Sequence, residues 1–314
     1  MAATKSKFDE SLKIWMNGTI VDWKDATVHV AVHALHYGSS VFEGIRAYKT
    51  PKGSAIVGLS QHIRRLFDSA KIYRMPVKYT REEIEKACVE VCQVNKMEEA
   101  YLRPLLYRGY SSLGVHPREC PIDIVVIPLR WGKYLGTEAL EQGVDVCVSS
   151  WTRIAPNTLP ALAKSGANYM NSQLINIDAQ ALGFSEGIAL NTEGYVSEGS
   201  GENIFVIRDG RVITPPLGSS VLPGITRAAI IHLCHELGIP LIEDHVPREM
   251  LYVADEVFFT GTAAEVTPIR SVDKVAVGSG KPGPITLSLQ KALFEMIDGK
   301  REDKLKLLHY YKID

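Results

Sequence analysis

The chain reads as two blocks of mixed strand and helix signals, separated by a short glycine-bearing stretch from Trp131 to Gly143. Each block mixes several strands with two or more helices, which argues for two α+β lobes. We expect a smaller N-terminal α+β domain at 1–133, a linker at 134–143 and a larger C-terminal α+β domain at 144–314.

In the first block, I-W-M-N-G-T-I-V-D-W places Asn17 and Gly18 between apolar residues. Both tolerate positive φ, so the pair predicts a hairpin. Gln61 to Tyr73 has helical periodicity, with Ile63, Leu66, Phe67, Ala70 and Ile72 as its apolar stripe. A second helix spans Thr80 to Gln93, where Thr80 and Glu83 form a capping box. Strands follow at Ala100 to Tyr107 and Ile122 to Leu129. The second block predicts a strand at Val144 to Ser150 and a helix at Asn168 to Leu182. Hairpins turn near Asn191 to Gly194 and at Asp209-Gly210. A helix at Thr226 to Leu237 is stopped by Gly238 and Pro240. A buried strand at Glu256 to Thr260 and a helix at Ile285 to Ile297 complete the reading.

With 314 residues and 46% apolar content the composition is globular. A net charge of -1 gives no electrostatic footprint for nucleic acid or acidic membranes. No apolar run approaches the roughly 18 residues of a membrane span, and M-A-A-T-K-S-K-F-D-E lacks the apolar core of a secretion signal. Cys88, Cys92, Cys120, Cys147 and Cys234 are odd in number and scattered, and we read them as reduced thiols of a cytoplasmic protein.

Lys164 sits in A-P-N-T-L-P-A-L-A-K-S-G-A-N-Y, among small residues and with no carboxylate near in sequence. It is either an ordinary surface lysine or a nucleophile that loses its proton. Glu198, in G-Y-V-S-E-G-S-G-E-N, is either a turn residue or a carboxylate aimed at a fixed cation. L-P-G-I-T-R, Leu222 to Arg227, opens a helix whose free N–H groups either meet water or cradle a phosphate. F-F-T-G-T-A-A-E, Phe258 to Glu265, offers a similar close approach, and Arg65 is a surface arginine beside Arg64 or a phosphate clamp. Tyr101 and Arg103 share one strand face, either solvated or lining a cleft. His29, His33 and His36 fall in a strand-like V-x-V-x-V pattern without a completing Cys or carboxylate, which argues against a metal site.

Together these segments resemble the pyridoxal-phosphate (PLP) dependent aminotransferases of class IV (fold type IV), most closely the branched-chain-amino-acid aminotransferases. The likeness covers nearly the whole chain. It is carried by H-A-L-H-Y-G-S-S-V-F-E-G-I-R, H-I-R-R-L-F-D-S-A-K-I-Y, Y-L-R-P-L, W-G-K-Y-L-G and the lysine, glutamate and L-P-G-I-T-R motifs above. The resemblance implies a two-lobed fold with its site at the interdomain cleft and dimer interface. It implies that Lys164 forms the Schiff base with PLP and shuttles the proton between substrate Cα and cofactor C4′. Glu198 pairs with the pyridinium nitrogen, Tyr169 bonds the phenolic oxygen and Leu222 packs on the ring. Arg65, Gly224, Ile225, Thr226 and Thr262 hold the phosphate end. Phe42, Gly44, Arg46, Trp131 and Tyr134 line the substrate side. Tyr101, Thr262 and Ala263 take the α-carboxylate, and Arg103 takes the distal carboxylate of glutamate.

The implied reaction moves the amino group of L-leucine, L-isoleucine or L-valine to 2-oxoglutarate. The implied minimal unit is a homodimer, with a trimer of dimers as the larger option, in which Tyr37, Leu113 and Val115 reach the neighbouring site. Tyr110 and Ser111 depart from the acidic, less bulky loop start of enterobacterial-type relatives. Within the family, D-amino-acid aminotransferase, (R)-amine transaminase and aminodeoxychorismate lyase are the alternatives. Outside it stand a non-catalytic binding protein on the same scaffold and a histidine-based metal enzyme.

Overall fold

The computed structural model describes residues 8–130 and 137–313, which divide into two compact units. The first holds residues 8–130, Ser165–Ala167 and the tail from Lys306. The second holds residues 137–164 and Asn168–Leu305.

The first unit carries strands β1 (Lys13–Met16), β2 (Thr19–Asp22), β3 (Ser40–Phe42), β4 (Ile45–Thr50), β5 (Gly53–Val57), β6 (Ala100–Arg108) and β7 (Ile122–Leu129). Its helices are α1 (His33–Tyr37), α2 (Leu59–Ile72) and α3 (Arg81–Val94). The tail strand Leu308–Tyr311 heads an antiparallel sheet, followed by β5, β4, β6, β7, β1 and β2, with β3 also on β6. Asn17 and Gly18 turn the first hairpin with φ of 50° and 99°. The Asn17 side chain bonds Asp123 and the Ile124 amide at 2.9 and 3.0 Å, so β7 fixes the turn. The capping box closes, with Glu83 N donating to Thr80 Oγ1 and Thr80 N donating to the Glu83 carboxylate. Helices α2 and α3 press Ile63, Leu66, Ile84 and Val91 onto Ile45, Leu102 and Leu106.

The second unit carries α4 (Thr137–Gln142), β8 (Val144–Val148), α5 (Tyr169–Ala181), β9 (Glu186–Leu190), β10 (Val196–Gly199), β11 (Asn203–Arg208) and β12 (Arg211–Thr214). It continues with α6 (Ile225–Glu236), β13 (Leu241–Glu243), α7 (Met250–Val253), β14 (Glu256–Gly261), β15 (Glu265–Val272), β16 (Val275–Ala276) and α8 (Pro284–Ile297). Its sheet runs β10-β9-β8-β15-β14-β11-β12-β13, parallel where β8 meets β9 and β15 and where β12 meets β13. Its core gathers Val146, Ile188, Ile204, Val206, Val257, Phe259 and Ile269.

Three sequence expectations change. Residues 137–142 of the expected linker are helix α4, closed by Gly143 at a φ of 80°. The tail leaves the C-terminal block because Leu308–Tyr311 pairs with β5 and Tyr311 Oη donates to Met97 O at 2.6 Å. The histidine segment is not a strand: His33–Tyr37 is a helical turn ended by Gly38 in the left-handed region, while Val28 and Val30 are exposed. Its histidines bond the protein, His33 to Ser39 and Gly114 O, and His36 to Val30 O.

Helix α8 starts on a buried carboxylate. Glu256 accepts from Ile285 N at 3.1 Å and from Thr286 N and Oγ1 at 2.7 and 2.6 Å. Glu256→Ala leaves those donors unmet and is expected to cost about 1–3 kcal/mol, read as a lowered urea midpoint. An unchanged midpoint would remove the capping role.

Candidate active site

In the second unit, Lys164 is buried and donates through Nζ to the Tyr169 hydroxyl, lying 4.7 Å from that ring's centroid. The lysine ends a turn-rich segment, and Tyr169 begins α5 five residues on. Asn168 fastens this bend by donating to Pro160 O and Ala163 O, both at 3.0 Å.

Glu198, on β10, is 4% exposed. Its Oε1 accepts from Arg153 Nη2 at 2.7 Å, and its Oε2 from Asn203 Nδ2 and Leu222 N, each at 3.0 Å. Burial pushes this carboxyl upward, opposed by the Arg153 charge, the Leu222 N–H and the Lys164 charge. Asn203 also donates to Leu222 O at 3.0 Å, which fastens the loop before α6 to the same carboxylate. Gly224 is the N-cap of α6 and brings no side-chain cap, so the first amides of the helix, Ile225 and Thr226 among them, lack intrahelical acceptors. A Cβ on Gly224 would lie 1.9 Å from Asn203 Oδ1, so only glycine permits this approach. Asn203 pairs with Thr260 across β11 and β14, which sets half-buried Thr262 and Ala263 in the turn just beyond.

In the first unit, Arg65 is buried while Arg64 is exposed. Arg65 grips Glu43 side-on, Nε to Oε1 and Nη2 to Oε2, both at 2.7 Å. His62 Nδ1 meets the same Oε2 at 2.7 Å. Burial alone would raise Glu43, but Arg65 and His62 hold it well below the usual carboxylate range. On the sheet face, Arg103 lies 4.7 Å from the Phe42 ring centroid and 3.4 Å from the Tyr101 hydroxyl. Arg46 is directly opposite Tyr101 in the β4–β6 register. A Cβ on Gly44 would come within 1.9 Å of the Tyr101 oxygen. Tyr37 Oη donates to Leu113 O at 2.6 Å, and Tyr37, Leu113 and Val115 are all exposed. Trp131 and Tyr134 lie outside the described residues.

Lys164, Tyr169, Glu198, Leu222, Gly224, Ile225, Thr226, Thr262 and Ala263 thus belong to one unit. Tyr37, Phe42, Gly44, Arg46, Arg65, Tyr101, Arg103, Leu113 and Val115 belong to the other.

Residues 40–272 match the family described as amino-transferase class IV. The chain is 53% identical over 292 residues to the branched-chain-amino-acid aminotransferase of Escherichia coli (strain K12), covering 93% of this chain and 94% of that one. The chain belongs to the class IV aminotransferases, in their branched-chain-amino-acid aminotransferase group. The crystal structure of an E. coli branched-chain amino acid aminotransferase superposes with a TM-score of 0.94 at 52% identity, covering 95% of this chain and 98% of that chain. The Thermobaculum terrenum branched-chain amino acid aminotransferase, solved in its PLP-bound holo-form, gives 0.89 at 35%, covering 96% and 98%. The fold is therefore fold type IV, and the cofactor of this enzyme is pyridoxal 5'-phosphate.

The residues present fit that cofactor. A carboxylate offers about four lone-pair sites, and Glu198 meets three donors, which leaves room for a pyridinium N–H. The α6 N-terminus, without a side-chain cap, suits a phosphate.

Sequence reading passed over Arg153, Asn203, Glu43 and His62. Of these, His62 had a signal: with Arg65 it falls on the apolar stripe of α2, where polar residues break the pattern. Arg153 had none, because its partner Glu198 is 45 residues away. Glu202 and Glu186 were also missed. Burial pushes the Glu202 carboxyl well above its ordinary range, reinforced by the Glu186 charge, and burial likewise raises Glu186. Raised acids favour their neutral form in the fold. The stability they lend is complete at low pH and fades as pH rises from the unfolded carboxylate range through their raised values. Glu202→Gln mimics the neutral acid, so its melting temperature should gain on the parent's as pH rises. A gap that is constant or shrinks with pH would contradict this.

Proposed function

We propose that this chain transfers the amino group of L-leucine, L-isoleucine or L-valine to 2-oxoglutarate by a ping-pong cycle, giving the branched 2-oxo acid and L-glutamate. The observation that carries the reading is the Arg103 guanidinium against the Phe42 ring, beside the Tyr101 hydroxyl. One site must accept both an aliphatic side chain and a carboxylate. An apolar wall with a cation on its edge meets both needs. Arg103 Nε is buried and has no hydrogen-bond partner among the described residues, as expected of a donor that serves a ligand. Discrimination among the three branched donors should be weak, since one methylene is worth only about 1–3 kcal/mol.

Bound PLP supplies an electron sink for the negative charge that develops at the substrate Cα. Lys164 would take the proton from that carbon and return one in the reverse half of the cycle. Glu198, held by Arg153, Asn203 and the Leu222 amide, keeps a proton on the ring nitrogen. Tyr169 would bond the phenolic oxygen of the cofactor, and Leu222 would lie against its ring. Arg65, the amides of Ile225 and Thr226, exposed by Gly224, and the Thr262 hydroxyl hold the phosphate. Tyr101 and the amides of Thr262 and Ala263 take the α-carboxylate. Arg103 takes the distal carboxylate of glutamate, with Gly44 and Arg46 on the same face.

We propose a homodimer as the minimal unit. The exposed Tyr37, Leu113 and Val115, and the exposed stripe of Met170, Leu174 and Ile177 on α5, support apolar association. A cytoplasmic location suits its free thiols, all five of them buried.

A donor panel of L-leucine, D-alanine and (R)-1-phenylethylamine with 2-oxoglutarate tests the reading, which requires turnover with L-leucine well above the other two. Lys164→Ala should abolish that turnover, and parental rates in this variant would sink the assignment. Arg103→Ala should raise KM for glutamate by about 10–100-fold and for leucine far less. Equal losses for both would remove the dual-substrate explanation.

A further inference from the structure

Glu43 belongs to no motif role above, yet it is the most enclosed charged group beside the proposed phosphate arginine. It has no solvent exposure. It lies between Phe42, the end of β3, and Gly44, just before β4, and its amide donates to Pro104 O of β6 at 2.8 Å. Its backbone is therefore tied to the sheet that carries Phe42, Tyr101 and Arg103. Its side chain is spent on α2, where both carboxylate oxygens meet Arg65 and one also meets His62.

Side-on pairing fixes a guanidinium in plane and direction, which a single contact does not. Here it engages Nε and Nη2 of Arg65, so Glu43 sets the plane of the guanidinium. Arginine also carries a large rotamer entropy, and ordering it in advance lowers the cost of binding a phosphate. Stability alone gives little reason for such an arrangement, because a buried ion pair is often no better than apolar residues of the same volume.

We propose that Glu43 is a positioning residue for the cofactor phosphate: it presets Arg65, from a point on the chain that also bears the substrate wall. The inference rests on the reading of Arg65 as the phosphate clamp. Glu43 itself touches no phosphate. It acts through the guanidinium, and His62 steadies it from the preceding turn of α2.

The test compares two cofactor forms with the same ring, PLP and pyridoxal, the second lacking the phosphate. The full-length chain is freed of cofactor and titrated with each, following the absorbance of the bound form. Arg65→Lys, which keeps the charge and loses the fork, should weaken PLP and leave pyridoxal alone. If Arg65→Lys keeps the parental preference for PLP, the clamp reading fails and the inference with it. Glu43→Gln should weaken PLP by about tenfold while pyridoxal changes by less than about twofold. If Arg65→Lys loses the preference and Glu43→Gln keeps it, the positioning role alone is overturned. Equal losses for PLP and pyridoxal in Glu43→Gln would mark Glu43 as merely structural and overturn it too. Glu43→Asp retains the charge on a shorter arm and serves if the amide variant does not fold. It should show the same loss confined to PLP, and an unchanged PLP affinity there would count against the proposal.

Discussion

A carboxylate taken out of water has to be satisfied from every side, and Glu198 is the place where this protein meets that demand. Removing a charge from solvent costs several kcal/mol, on the order recovered only by excellent geometry. Arg153, Asn203 and the Leu222 amide provide it. Each of these donors comes from a different segment, so the carboxylate gathers the loop after β8, the start of β11 and the loop leading to α6. Asn203 is the hinge of the arrangement. It binds Glu198 and Leu222 O together, and it approaches Gly224 so closely that no side chain fits there. Glu198 and the uncapped helix start are thereby spaced by one amide side chain.

The first unit uses the same device with the signs arranged differently. There the buried carboxylate is the anchor, and the cation it holds is the proposed phosphate clamp. Glu43 is stabilised as an anion by Arg65 and His62, against a burial cost that would otherwise neutralise it. In the second unit, Glu186 accepts from the Asn176 amide and the Gly187 N–H, and Glu202 from the Gly201 N–H. These donors are neutral, and burial drives both carboxyls toward the neutral form. Two cationic partners hold Glu43 down, whereas at Glu198 burial outweighs the single Arg153 charge and the carboxyl is raised as well.

Much of the local structure was legible because it is set by near neighbours in sequence. The Asn17-Gly18 and Asp209-Gly210 turns need positive φ and contain residues that tolerate it. The Thr80–Glu83 box caps α3 through residues three apart. The histidine segment misled because alternating valines imitate a strand. Val28 and Val30 are exposed, while Val32 is buried and leads into a helical turn that Gly38 ends. Arg65 was legible as a candidate, but its burial was not, since its neighbour Arg64 has the same chemistry and lies on the exposed side of α2.

The sequence by itself determined the chemistry: a lysine, a glutamate, a glycine-led helix start and an arginine strand, in the order of a class IV aminotransferase. Those features are short motifs whose residue types and spacing are local. The tertiary structure alone decided which charges are buried and what neutralises them. Arg153 meets Glu198 across 45 positions, and Arg65 meets Glu43 across 22. Such pairings depend on how sheets and helices pack, and hydrogen-bond geometry at 2.7 Å is not encoded in any spacing along the chain.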